Sequence, residues 1–138
     1  MDPYVESREQ LVCEIVVRDA QRSAQFYRRL GFEIVRNDGD FVILAWEGHH
    51  LFLGALEAFH DHEVDHVVVG DPASFPVAYV RVMVPNVDDY WRRANEMGVP
   101  IKVPIADRYY GLRDFIIVDP DGFGIRFASR LNRTQPGS

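Results

Sequence analysis

The sequence predicts an α+β fold in which one βαβββ module is used twice to form a curved mixed sheet around a cleft. Three observations predict it. A run of alternating apolar residues, a capped helical pattern and three further alternating runs follow one another, and that order then returns. The two passes keep one offset: Asp19 and Asn86 stand 67 residues apart (86 − 19), as do Gly31 and Gly98 (98 − 31). Finally, a module of ~60 residues is marginal alone, whereas two copies can share their exposed surfaces.

In chain order, residues 1–10 read as a polar tail. Leu11–Val17 alternates Cys13, Ile15 and Val17 against Val12, Glu14 and Val16, which is a strand. Cys13 is expected to be a small buried hydrophobe within it. Asp19 can cap the helix that follows, with Ala20, Ala24, Tyr27 and Leu30 at helical spacing and Gly31 just past the end. Strands are expected at Phe32–Arg36, at Phe41–Trp46 after the Asn37-Asp-Gly39 turn, and at His50–Gly54 after Glu47-Gly48.

The second pass begins with the alternating run Val77–Val84. Asn86 can cap, and Asp88 and Asp89 favour a helix N-terminus. Tyr90, Ala94 and Met97 follow at helical spacing, and Gly98 ends the helix. Strands are expected at Ile101–Pro104, Asp114–Val118 and Phe123–Ala128, the last two joined by the tight turn Asp119-Pro120-Asp121-Gly122. The predicted organisation is one domain, residues 11–129, made of modules 11–56 and 77–129 with a polar, acidic connector 57–76. Residues 130–138 read as a C-terminal tail.

Composition narrows the function classes. The 138 residues suffice for one domain that buries about two-thirds of its unfolded-chain surface. A net charge of −6, from 15 basic and 21 acidic residues and without a basic stripe, disfavours nucleic acid as a partner. The single cysteine precludes an internal disulfide and fits a reducing compartment. No apolar run reaches the ~18 residues of a membrane span, and residues 1–10 lack a secretion-signal pattern, so a cytoplasmic protein is expected. Serine or cysteine nucleophile motifs and a phosphate loop are absent.

Val17-Arg-Asp-Ala-Gln-Arg-Ser-Ala-Gln-Phe-Tyr-Arg-Arg-Leu-Gly-Phe32, the tandem βαβββ plan, and Gly111-Leu-Arg-Asp-Phe115 running into Asp119-Pro-Asp-Gly122 carry a resemblance over most of residues 10–129. On these features the chain resembles the vicinal oxygen chelate superfamily: glyoxalase I, extradiol dioxygenases, fosfomycin-resistance enzymes and the bleomycin-binding resistance proteins. The resemblance implies a divalent metal held by four strand positions in the enzymes, two per module. Carried over, those positions fall on Val12, near Phe52, on Tyr79 and on Arg126. Valine and phenylalanine have no lone pair to donate, and arginine stays protonated. The chain therefore looks most like the metal-free bleomycin-binding members, which implies a homodimer, a small-molecule ligand and no cofactor.

Strand parity, with Ile125 and Phe127 toward the helices, turns Val12, Glu14, His50, Phe52, Tyr79, Arg81 and Arg126 toward the cleft. Phe41 and Trp46 are expected in its walls, although Trp46 falls on the opposite parity, and Tyr109 and Tyr110 sit in a loop that can close one end. Aromatic faces suit a planar ring, and Glu14 suits a cationic group. Arg126, Glu14 and Arg81 are alternatively expected to satisfy one another, with Tyr79 packed between them. If the protein is instead an enzyme of the superfamily, Glu14 and His50 are the candidate metal ligands and His50 the candidate base. His60, His62 and His66 in the connector have metal-compatible spacing but no framework to fix geometry, whereas His49 and His50 point to opposite faces.

Overall fold

Asp19 and Asn86 each leave an extended backbone and turn a side-chain oxygen onto the first amides of a helix. The computed structural model describes residues 11–59, 70–76 and 78–131, the side chains of residues 59 and 77 apart. In it, Asp19 accepts from Gln21 and Arg22 at the head of α1 (Ala20–Leu30), and Asn86 accepts from Asp88 at the head of α2 (Val87–Met97). The cap dihedrals agree closely, φ −139°, ψ 102° and φ −138°, ψ 99°. Both helices end on a left-handed glycine, Gly31 at φ 120° and Gly98 at φ 69°, a conformation that a β-carbon disfavours.

The chain divides into two compact units, Met1–Val69 and Gly70–Ser138. The first holds β1 (Cys13–Val17), α1, β2 (Glu33–Asn37), β3 (Phe41–Trp46) and β4 (His49–Ala55), followed by a short 3-10 turn, Leu56–Phe59. The second holds β5 (Tyr79–Met83), α2, β6 (Ile101–Asp107), β7 (Leu112–Val118) and β8 (Gly124–Arg130). Each unit is one four-stranded mixed sheet, ordered β1-β4-β3-β2 and β5-β8-β7-β6. The first strand pairs parallel with the last, and the remaining pairs are antiparallel. The fold class read from the sequence is thus observed, with the duplication carried through caps, order and pairing.

In the first unit α1 packs on β2, β3 and β4 and buries Ala20, Ala24, Tyr27 and Leu30 against Val17, Val42, Leu44 and Leu53, all fully buried. Tyr27 meets Phe32 edge-on at 5.2 Å, and Phe32 in turn meets Trp46 at 5.0 Å. Trp46 therefore belongs to the helix side and is not a wall of the opposite face. In the second unit α2 packs on β7 and β8. Tyr90 stacks on Phe127 at 4.9 Å, and Trp91 meets Phe115 edge-on at 5.2 Å. Phe115, Ile117, Ile125 and Phe127 are fully buried.

The strands differ from expectation mainly at their ends. β6 continues to Asp107 and β8 to Arg130, while β1 begins at Cys13 and β5 at Tyr79. Val77 and the connector histidines His60, His62 and His66 lie outside the described residues. Cys13 is exposed rather than buried. It is the first residue of an edge strand, so no neighbouring strand flanks it on its outer side. Among the described residues no helix is long and apolar enough to cross a membrane.

Candidate functional site

Helix packing assigns each sheet a helix-covered face and an opposite face, and the opposite faces carry the candidate residues. In the second unit Phe127 points to α2, so Arg126 points away. The register sets Arg126 between Arg81 on β5 and Ile116 on β7, with Tyr79 and Asp114 one step along those strands. Gly124 lies opposite Tyr79, and a β-carbon there would fall 2.7 Å from the Tyr79 Cβ. The missing side chain lets β5 approach closely enough for Tyr79 to reach Arg126.

Arg126 Nη1 donates to the Tyr79 hydroxyl at 2.9 Å, and its guanidinium carbon lies 5.0 Å from the Tyr79 ring centroid. Arg126 Nε is 3.6 Å from Asp114 Oδ2. Asp114 is fully buried, and other groups hold its carboxylate more tightly. Arg108 Nε donates to Oδ1 at 2.8 Å and the Tyr110 hydroxyl donates to Oδ2 at 2.6 Å. Arg108 also spans the hairpin, its Nη2 donating to the carbonyls of Pro104 and Asp114. Desolvation and the bond to Asp114 raise the Tyr110 pKa above the usual tyrosine value, with Arg126 and Arg108 opposing.

Hence Arg126 is held by Tyr79 and Asp114 rather than by Glu14 and Arg81. Among the described residues Arg81 and Glu14 make no hydrogen bond or ion pair. Tyr110 turns inward to Asp114, whereas Tyr109 is 98% exposed at the hairpin tip. Asp114 and Arg108 are participants that pattern reading assigns only to a strand and a loop. The available signal was an acid heading the apolar run Phe115–Val118, where a charge demands partners.

The first unit repeats the lattice with different chemistry. Glu14, Phe52 and Ile43 occupy the register that Arg81, Arg126 and Ile116 occupy in the second unit. Phe52 is buried, and Phe41 meets it edge-on at 5.2 Å. Glu14, Arg36, Asp38 and Phe41 line a pocket of about 310 Å³. Arg36 Nε donates to Asp38 at 2.8 Å, so those charges answer each other. Desolvation by partial burial raises the Glu14 carboxyl above the ordinary 4.5. Val12 and His50 are half-buried.

Comparison with known proteins bears on this geometry. The family model for the glyoxalase/bleomycin resistance protein/dioxygenase superfamily matches residues 10–127. The chain belongs to that superfamily. Bleomycin resistance proteins of Geobacillus stearothermophilus and Staphylococcus aureus are 26% identical over 128 residues, covering 88% of this chain and 97% of theirs. The bleomycin resistance determinant encoded on transposon Tn5 superposes with a TM-score of 0.64 at 23% identity, covering 89% of this chain and 98% of that one. A glyoxalase/bleomycin resistance protein/dioxygenase from Nocardioides gives 0.72 at 20% identity, covering 97% and 91%.

The residues at the positions that the resemblance assigns to a metal do not fit a divalent cation. Val12 and Phe52 present hydrocarbon, Arg126 is a cation, and Tyr79 already accepts from Arg126. Among the described residues no group of three His, Cys, Asp or Glu side chains is placed to hold a metal.

Proposed function

We propose that this superfamily member is a metal-independent binding protein that sequesters a small aromatic or cationic compound, an antibiotic of the bleomycin kind being the first candidate. One observation carries the reading. Glu14, an uncompensated carboxylate, lines an open pocket beside Phe41 and the Phe52 ring, while the positions that the resemblance assigns to a metal hold side chains that repel or ignore a cation. Phe41 offers a ring to a planar guest, with the buried Phe52 ring packed edge-on against it, and Glu14 offers the guest a charge partner. The curated relatives named for bleomycin resistance support the choice of ligand class. We further propose that the protein works in the cytoplasm as a homodimer, as the resemblance implies.

Isothermal titration calorimetry with bleomycin, and with a planar aromatic cation, tests the reading. Saturable binding is expected, weakened about tenfold by Glu14→Gln, the loss typical of one charge-assisted contact. The pH dependence has a defined sign. Glu14 must ionise to attract a cation, and its pKa is raised, so affinity falls as pH drops through a midpoint above 4.5. In the free protein that ionisation opposes folding: the stabilisation belonging to the protonated form is present below the unfolded pKa and lost as pH rises through the folded one. A guest cation offsets it. No binding of any of these compounds, or affinity indifferent to Glu14, would overturn the reading.

A further inference from the structure

Arg81 and Arg126 are direct neighbours across the parallel β5–β8 pair. Like charges so placed repel, and the repulsion persists unless an anion lies between or beside them. Nothing in the second unit supplies enough negative charge. Its one buried carboxylate on this face, Asp114, is taken by Arg108 at 2.8 Å and Tyr110 at 2.6 Å, and lies 3.6 Å from Arg126. Two guanidiniums, those of Arg108 and Arg126, thus share one carboxylate, and Arg81 has none. Arg126 is only 15% exposed, and its Nε makes no hydrogen bond among the described residues. Its Nη1 is engaged by Tyr79 alone, and no contact is made by Nη2. Arg81 is exposed on the same face and has no ion pair.

We propose that the face of the second unit opposite α2 is an anion-binding site that takes the carboxylate of a small aromatic ligand between Arg81 and Arg126. The proposal rests on the reading that these sheet faces bind ligand, and it adds to that reading a second site, for a negative group. Arg126 supplies a partly desolvated, pre-oriented donor, since Tyr79 and Asp114 fix its plane. Arg81 supplies a mobile second donor from the solvent side. The Tyr79 ring, 40% exposed, offers an aromatic surface beside both. The same register that pairs Glu14 with a phenyl ring in the first unit therefore pairs two cations in the second. One unit is suited to a positive group and the other to a negative one.

NMR titration of the full-length ¹⁵N-labelled protein with benzoate, benzyl alcohol and benzylammonium tests this. Benzoate is expected to bind at least about tenfold more tightly than benzyl alcohol, with shifts centred on residues 79–83 and 124–128. Arg81→Gln and Arg126→Gln are each expected to weaken benzoate several-fold or more while leaving benzylammonium unchanged. Arg81 is exposed and unpaired, so Arg81→Gln remains informative if Arg126→Gln folds poorly. Benzoate binding no tighter than benzyl alcohol, or benzoate affinity unchanged in Arg81→Gln, would overturn the proposal. Benzylammonium still bound through Glu14 would then confine the failure to the anion site. Loss of benzylammonium binding with benzoate retained would instead sink the cation reading and leave this one standing.

Discussion

Asp114→Ala is expected to destabilise the protein by about 3–5 kcal/mol, the cost of leaving buried cations without their counter-charge. The carboxylate is fully buried and is the shared partner of Arg108, Arg126 and Tyr110. Removing it strands a guanidinium that is 15% exposed and another that is 23% exposed. Thermal unfolding followed by circular dichroism should show a midpoint lower by roughly 10 °C or more. Adding Arg126→Met to Asp114→Ala should recover part of the loss, because the stranded charge is then gone as well. A single variant within 1 kcal/mol of the parent would mean that water, not Asp114, compensates these arginines.

Phe127→Ala is expected to cost a similar ~3–5 kcal/mol by a different route, the loss of a large buried side chain and the cavity it leaves. Phe127 is fully buried, stacks on Tyr90 at 4.9 Å and lies 5.7 Å from Phe115. Denaturant titration monitored at Trp91, which abuts Phe115, measures the effect directly. Because Phe127 lies on the covered face and Arg126 on the other, the folded fraction of Phe127→Ala should bind benzoate as the parent does. A change in stability below 1 kcal/mol would show that the two faces of β8 have been exchanged.

Local chemistry made much of this fold legible. Asp19 and Asn86 are short polar residues placed just before an apolar helical stripe, and a cap requires only its next two or three amides. Phe41–Trp46 was readable to the residue, since it lies between two turns with strong turn formers. Strand parity likewise placed Arg126 and Tyr79 on the face opposite Phe127. What escaped pattern reading depends on pairing across sequence distance. Asp114 looks like an ordinary strand-leading acid until the β6–β7 hairpin brings back Arg108 and Tyr110 and β8 brings Arg126. Cys13 looks buried by alternation alone, but its place at the end of an edge strand overrides its parity. Arg126, expected to pair with Glu14 and Arg81, is instead answered by Asp114 and Tyr79 of its own unit.

The parallel pairing of β1 with β4, and of β5 with β8, has a consequence for how the polypeptide is made. In each unit the strand synthesised earliest is neighboured by the strand synthesised latest, so a ribosome-bound chain cannot complete the sheet until the closing segment has emerged. Until then β1 waits with its backbone amides bonded to water instead of to a neighbouring strand, and its apolar side chains exposed. Such late, non-local closure slows folding and prolongs the interval in which a nascent chain can aggregate or recruit a chaperone.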